Sequence, residues 1–594
     1  MATSRLSPNH PRSSWLGGDR AEGLQLLRWI TYGVCLLLPL LVATPASALQ
    51  DNLASSGYQE LLDLLGPDVP VGEGVPLAQI ESGNNYRPSF TSSEFSHITF
   101  NDLTTNPSTG TSNHATNVVA RSFYGNNPDF AMARGAHEVA IYETVDWLND
   151  VANPTTHEIL TTSGDLAKVQ NFSWVGTFAG GTNPMPDDPA STNRVRLAQF
   201  DRDINDDDYT AVVGLNNGSS QGIPWLVAHS YNAIAVGRSD GNHSTGLTID
   251  TMTSASNYGP GRSKPDLVAD ATTSSRATAT VSSAAAVLRG LLEGTDGDRS
   301  EPIKAILMAG ATKDSTRFTF NWSRDVDTPS NTYTTSLDDT YGAGELNIFN
   351  SYKIQLGGQF DGGTDLPSAV NAGAHGWDYG NVGIGEDRFY TFTVAEGITA
   401  QELSIILTWN TPGGNNGSFP GDAPPLANLD LELLDSSGEV VLDHLGVFGV
   451  SASTVENVEH LYLQDLAAGD YTLRIAGDAS SATDYGLAWR TETLADMVNA
   501  DFDDDGFVDG ADLLIFQRGF GKVVNATHAD GDADGDGDVD ADDLAAINAG
   551  FGGVESVSAV QFAAFLASVP EPSSFALFWA SMLLLSAQRG QRRT

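Results

Sequence analysis

The stretch Ser263-Lys-Pro-Asp-Leu-Val-Ala-Asp-Ala-Thr-Thr-Ser-Ser275-Arg-Ala-Thr-Ala-Thr-Val-Ser-Ser-Ala-Ala-Ala-Val-Leu288 changes character at Ser275. Before that residue the chain reads as extended, and Pro265 disfavours helix in the residue preceding it. After it the sequence is dense in alanine, with Val281, Ala285 and Leu288 at helical spacing. The Ser275 hydroxyl is therefore expected near the first turn of a helix, where unpaired backbone N–H groups favour negative charge. Such a serine is either a helix N-cap or a nucleophile whose reaction builds an oxyanion. The residues upstream decide between the two.

The chain has 594 residues, enough for several domains and a sizeable core. Asp and Glu number 75 against 30 Lys and Arg, a net charge of −45. That field repels nucleic acid and anionic membrane surfaces, so no nucleic-acid partner is expected. Basic residues up to Arg28, the apolar run 29–42 and the small-residue site Ala46-Ser-Ala48 read as a secretory signal peptide over 1–48. The single cysteine, Cys35, lies inside that run. An exported mature chain would hold no disulfide, so packing and bound metal must stabilise it. At the other end, Val569-Pro-Glu-Pro-Ser-Ser574 precedes the apolar run 575–585 and then Arg589, Arg592 and Arg593. This resembles the Pro-Glu-Pro C-terminal sorting signal of exopolysaccharide-making bacteria, here over 569–594. The resemblance implies an envelope processing enzyme as partner, and a cell-envelope or matrix location with a transient or retained C-terminal membrane segment.

Between these addresses the texture changes twice. After a short extension over 49–74, strand-like runs at 75–80, 137–142, 168–174, 209–215 and 233–237 alternate with helix-like runs at 144–151, 277–293 and 302–311. Such alternation predicts an α/β domain with a mostly parallel sheet over 75–353. From 354 to 491 short β runs at 403–409, 430–434, 439–442 and 470–475 are separated by Gly, Pro and Asn turns, with Asp435-Ser-Ser-Gly438 as a hairpin turn. This reads as a β-sandwich.

Residues 497–553 hold a repeat. Asp501-Phe-Asp503-Asp-Asp505-Gly-Phe-Val-Asp509-Gly-Ala-Asp512 returns as Asp532-Ala-Asp534-Gly-Asp536-Gly-Asp-Val-Asp540-Ala-Asp-Asp543. Each copy puts carboxylates at loop positions 1, 3, 5, 9 and 12 with glycine at 6, a spacing that wraps a hard cation in oxygen ligands. The pair resembles a type I dockerin, which implies a small α-helical module holding two calcium ions and a cohesin-like or other protein partner. Gly510-Ala511 and Ala541-Asp542 depart from the Ser-Thr pair common in that family, which puts the cohesin partner in doubt.

Four blocks precede or surround Ser275. They are Gly74-Val-Pro-Leu-Ala-Gln-Ile-Glu81-Ser-Gly83, Asn113-His114-Ala-Thr-Asn-Val-Val-Ala120, Ala211-Val-Val-Gly-Leu-Asn216-Asn-Gly218, and Ser256-Asn-Tyr-Gly-Pro260 with Lys264-Pro-Asp-Leu-Val-Ala269. In this order and spacing they resemble the subtilisin-like serine proteases across roughly residues 70–355. The resemblance implies a mostly parallel sheet with helices on both faces and a protein or peptide substrate. It also implies Ser275 as nucleophile, His114 as general base and acid, Glu81 as orienting carboxylate and Asn216 as oxyanion donor. A hydroxyl needs such a base, and the base needs a carboxylate to fix its tautomer.

The departures bear on activity. Glu81 stands where the family has Asp, Thr273-Ser274 where it has Gly-Thr, and Ala279 where it has Pro. Ala115 and Asn117 replace Gly and His beside His114. The expected function is an exported serine endopeptidase working through an acyl-enzyme. The rival is a non-catalytic surface protein that uses a protease-like fold, the sandwich and the repeats for binding.

Overall fold

The computed structural model describes residues 53–150, 158–176, 192–247, 261–313, 318, 322–323, 335–413, 426–493 and 500–547, except 221, 225, 396–398, 444–445, 479, 504–507, 509, 523–525, 534–537, 541–542 and 545. The signal peptide 1–48, the block 256–260 and the sorting signal 569–594 lie outside the described residues. Among the described residues, no helix is long and apolar enough to cross a membrane.

The protein is mixed α/β, built on a large parallel sheet. Its strands are β1 (Leu77–Glu81), β2 (Thr99–Asp102), β3 (Glu138–Glu143), β4 (Val169–Phe172), β5 (Thr210–Gly214), β6 (Ile234–Arg238) and, beyond the short pair β7 (Gly246–Leu247) and β8 (Ser263–Lys264), β9 (Leu267–Ala269). They lie in the order β2-β3-β1-β4-β5-β6-β9, every neighbour parallel. Parallel sheets need cover on both faces, which is why these strands read as unbroken apolar runs. One face buries Leu77, Val139, Val212 and Leu267 against alanine-rich and aliphatic helices. The other buries Ile80, Phe172 and Val213 with Trp147 and Phe200.

The helices are α1 (Tyr58–Leu65), α2 (Arg121–Phe123), α3 (Thr144–Asp150), α4 (Thr192–Asp207), α5 (Ser274–Leu291), α6 (Ser300–Ala309) and α7 (Ile348–Gly357). Helix α5 crosses the sheet on the first face, buried along nearly its whole length, because Ala277, Ala284, Ala285 and Ala286 let its axis come close. The stretch before β1, without marked character in sequence, belongs to the body. Tyr58 and Leu61 are fully buried, and the Ile348 N–H donates to the Ser56 carbonyl at 2.7 Å.

The sandwich follows as β10 (Val370–Asn371), β11 (His375–Val382), β12 (Asp387–Val394), β13 (Ala400–Thr408), β14 (Asp430–Leu434), β15 (Val450–Ser451), β16 (Val458–Leu466), β17 (Gly469–Ala476) and β18 (Thr483–Thr493). One sheet runs β10-β12-β17-β14-β15, the other β11-β18-β13-β16. The run 439–442 is not a strand; Val440 and Leu442 make only isolated bridges to Leu434 and Phe448, since the turn at Gly438 leaves a short, half-paired return. The four-stranded sheet lays its outer face on α6 and α7, and Trp377, Ile406, Val458 and Ala488 join the hydrophobic core of the α/β body. Polar cross-links complete the join. Asn232 Nδ2 donates to the Thr411 carbonyl at 2.8 Å while its Oδ1 accepts from the Thr411 N–H at 2.9 Å. Buried Glu456 accepts from the Ser263 N–H at 2.5 Å and from the Ser336 hydroxyl at 2.5 Å. Buried Arg490 of the sandwich reaches across to the Ala309 carbonyl of α6 at 3.4 Å, while its ion pairs to Glu402 at 2.9 Å and Glu492 at 3.2 Å stay within the sandwich. Sandwich and body are thus one packed unit, because each leaves buried polar groups that only the other satisfies.

Candidate active site

The sheet order reverses between β1 and β4: the chain adds β2 and β3 on one side of β1, then crosses to build β4, β5, β6 and β9 on the other. Loops diverge at the carboxyl ends of the strands flanking such a point, leaving a crevice. Here the crevice is a cavity of about 460 Å³, lined among others by Glu81, His114, Ser173, Trp174, Asn216 and Ser275. The structure therefore brings together the four residues singled out around Ser275.

Glu81 is the last residue of β1 and only 3 % exposed. Its Oε2 lies 2.9 Å from His114 Nδ1, and its Oε1 is buried without a hydrogen-bond partner. His114 opens a π-helix (His114–Ala120), and its ring is 42 % exposed. Widened turns of this kind are rare and recur at functional sites. The Glu81 hydrogen bond raises the His114 pKa above its usual 6.5, against burial and the nearby Arg276 cation. Burial raises the Glu81 carboxyl above its usual 4.5, against the His114 bond.

Ser275 lies in the first turn of α5, but it is not the cap. Thr273 is the N-cap residue, and its side-chain oxygen accepts from the Arg276 N–H at 3.3 Å. The next serine, Ser274, is also engaged: its N–H donates to Asn217 Oδ1 at 2.9 Å and its hydroxyl to the Leu215 carbonyl at 2.6 Å. These bonds tie the end of β5 to the start of α5, fixing Asn216 relative to Ser275. The Ser275 hydroxyl donates to the Ser173 carbonyl at 3.2 Å, and the Ser173 hydroxyl to the Ser275 carbonyl at 2.9 Å. No hydrogen bond joins Ser275 to His114 among the described residues. Asn216 Nδ2 donates to the Gly222 carbonyl at 3.0 Å; a carboxamide carries a second hydrogen, which leaves one donor for a ligand.

Sequence reasoning gave no role to Gln79, Ser173 or Arg276, although Gln79 and Arg276 stand inside quoted stretches and Ser173 in the strand-like run 168–174. Gln79 is fully buried two residues before Glu81, and Arg276 directly follows Ser275. Their neighbours could have drawn attention to them; their partners could not be read from sequence.

In the repeats, carboxylate oxygens of Asp501, Asp503 and Asp512 lie within 4.8 Å of one another, as do those of Asp538, Asp540 and Asp543. The two loops share one contact. Asp512 Oδ1 accepts from the Phe502 N–H at 2.6 Å, and Asp543 Oδ1 from the Ala533 N–H at 2.6 Å, so position 12 ties down position 2 in both. All-oxygen carboxylate sets of this kind fit a hard divalent cation. Asp505, Asp509, Asp534 and Asp536 lie outside the described residues, and Asp532 is buried but not in the second cluster. Asp538 joins instead, at loop position 7, where such loops ordinarily use the main-chain carbonyl.

No family model matches the chain, and no curated protein matches it in sequence. Among solved structures it is similar to one described as the structural basis of subtilase cytotoxin SubAB assembly, at 13 % identity over 51 % of this chain and 95 % of that one, with a TM-score of 0.33. It is also similar to fervidolysin from Fervidobacterium pennivorans, a keratinolytic enzyme related to subtilisin, at 13 % identity over 69 % of this chain and 60 % of that one, with a TM-score of 0.31. Aeromonas hydrophila PliG, a periplasmic inhibitor of g-type lysozyme, covers 23 % of this chain and 96 % of its own, at 11 % identity and a TM-score of 0.13. These scores are too low to fix a fold family, and the functional reading rests on the cleft.

Proposed function

We propose that the chain is an exported serine endopeptidase of subtilisin type. The observation that carries this reading is the Glu81–His114 pair, bonded at 2.9 Å and facing Ser275 across one cavity at the carboxyl ends of parallel strands. Glu81 holds His114 with its proton on Nδ1, which leaves Nε2 basic. When the Ser275 hydroxyl turns from Ser173 to the imidazole, His114 takes its proton as Oγ bonds to the scissile carbonyl carbon. The oxyanion then faces the Ser275 N–H in the first turn of α5 and the second Asn216 amide hydrogen. His114 returns the proton to the leaving amine, and water releases the acyl group by the same path reversed. In this reading calcium stiffens the two acidic loops, the repeats bind a protein partner, and the C-terminal signal directs the chain to the envelope.

The binding-scaffold reading draws on a specific observation: the Ser275 hydroxyl is bonded to Ser173 rather than to His114. A fluorophosphonate probe separates the two. Labelling of the calcium-loaded chain that is lost in Ser275→Ala supports the peptidase. Absence of labelling by probes of several shapes, with the protein folded, leaves the scaffold.

A further inference from the structure

The helix that carries His114 is gripped from two sides by buried polar side chains. From β1, Gln79 Nε2 donates to the Ala115 carbonyl at 3.1 Å, and Gln79 Oε1 accepts from the buried Tyr124 hydroxyl at 2.5 Å. Gln79 precedes Glu81 by two residues and so projects from the same face of the strand. From α5, Arg276 Nη2 donates to the Asn117 carbonyl at 2.8 Å and Nη1 to Ser122 Oγ at 3.0 Å. Arg276 follows Ser275 by one residue. Each of the other two elements of the site thus sends one side chain to a main-chain carbonyl one or three residues past His114.

We propose that Gln79 and Arg276 are positioning residues that clamp the His114 π-helix between the carboxylate strand and the serine helix. A π-turn has poor intrinsic stability, so bonds from outside must hold its register. The grip matters because a misplacement of about 1 Å at a catalytic base costs on the order of 100-fold in rate. A guanidinium suits the α5 side, since its planar fork presents two N–H donors in fixed directions to two acceptors, whereas an ammonium is a flexible point donor. The charged groups that act on the imidazole among the described residues are Glu81 from β1 and Arg276 from α5, and they pull its basicity in opposite directions. The effect on rate rests on the peptidase reading; the effect on His114 titration does not.

The test uses the full, calcium-loaded chain with Arg276→Met, Arg276→Lys and Gln79→Met. Two quantities are read: the His114 midpoint, by NMR of ring-labelled histidine assigned through His114→Ala, and the rate of fluorophosphonate labelling above that midpoint. Arg276→Met is expected to raise the midpoint, because a nearby cation that lowers it is lost. It should also slow labelling by ~10-fold or more. Arg276→Lys should keep the midpoint near wild type yet still slow labelling, and Gln79→Met should slow labelling without removing a charge. A merely structural role would lower melting temperature and leave the midpoint where it was. An unchanged midpoint with unchanged labelling in folded Arg276→Met overturns the proposal. Should that variant fail to fold, wild-type labelling in both Arg276→Lys and Gln79→Met overturns it equally. If the wild type is not labelled at all, the peptidase reading falls, and amide hydrogen exchange over residues 115–120 decides the clamp: exchange as slow as wild type in both Gln79→Met and Arg276→Lys overturns it.

Discussion

Replacing Glu81 by Asp restores the residue that the subtilisin-like resemblance expects, yet it is predicted to harm the site. Removing one methylene withdraws the carboxylate by about 1.5 Å, which stretches the 2.9 Å bond to His114 Nδ1 to about 4.4 Å, beyond hydrogen-bond reach. The strand cannot follow. β1 is paired with β3 through Glu81 itself, and with β4 along the rest of its length. On the other side, Gln79 and Arg276 hold the His114 helix in place. A hydrogen bond to an ionised partner contributes roughly 1.5–3 kcal/mol, or about 10- to 150-fold in rate when it acts only on the transition state. The assay is kcat/KM on a peptide substrate across pH, in wild type and Glu81→Asp, with the His114 midpoint followed in parallel. The midpoint should fall, because the largest cause of its elevation is lost, and kcat/KM should drop by at least ~10-fold. An Asp variant as active as wild type, with the midpoint in place, refutes the reasoning.

Other outcomes follow from the same structure. Arg490→Ala leaves Glu402 and Glu492 short of a buried cation and is expected to cost about 3–5 kcal/mol in urea unfolding followed by tryptophan fluorescence; a loss below about 1 kcal/mol contradicts the reading of this ion-pair network as buried and mutually dependent. Burial raises the Glu301 carboxyl from 4.5 to about 7. The folded protein therefore holds this proton more tightly than the unfolded chain, and stability is full below 4.5 and falls by about 3 kcal/mol as pH climbs to 7. Glu301→Gln should flatten that window in melts taken across it, and an unaltered slope refutes the assignment. Calorimetry with calcium chloride on the full chain should show two sites, one lost in Asp512→Ala and the other in Asp543→Ala. Retention of both sites in either variant refutes the paired loops.

Much of the α/β body is legible in sequence because its parallel strands are apolar on both faces and its long helix announces itself through alanine. Glu81, His114, Asn216 and Ser275 are legible because Glu81 and Asn216 stand at or just past strand ends and His114 and Ser275 at helix starts, in a characteristic order. Other features depend on distance along the chain. The bonds between Asn232 and Thr411 span 179 residues, so composition marks a change of texture at the sandwich but not its fusion to the body. Gln79 reads as an ordinary strand residue until its partners Ala115 and Tyr124 are known. Arg276 carries no signal in the sequence, yet it is buried, donating to the Asn117 carbonyl and the Ser122 hydroxyl. Asp538 escapes because its loop position is ordinarily served by the backbone.

The way the chain leaves its packed unit has a mechanical consequence. Its last strand, β18, is not at an edge: it runs antiparallel to both β11 and β13, and Arg490 within it is tied to Glu402 on β13 and to Ala309 on α6. Any tension applied to the chain beyond Thr493 is directed along a strand laddered on both sides. Those hydrogen bonds must be sheared together rather than unzipped one after another, so a tether at this end can bear load without opening the cleft.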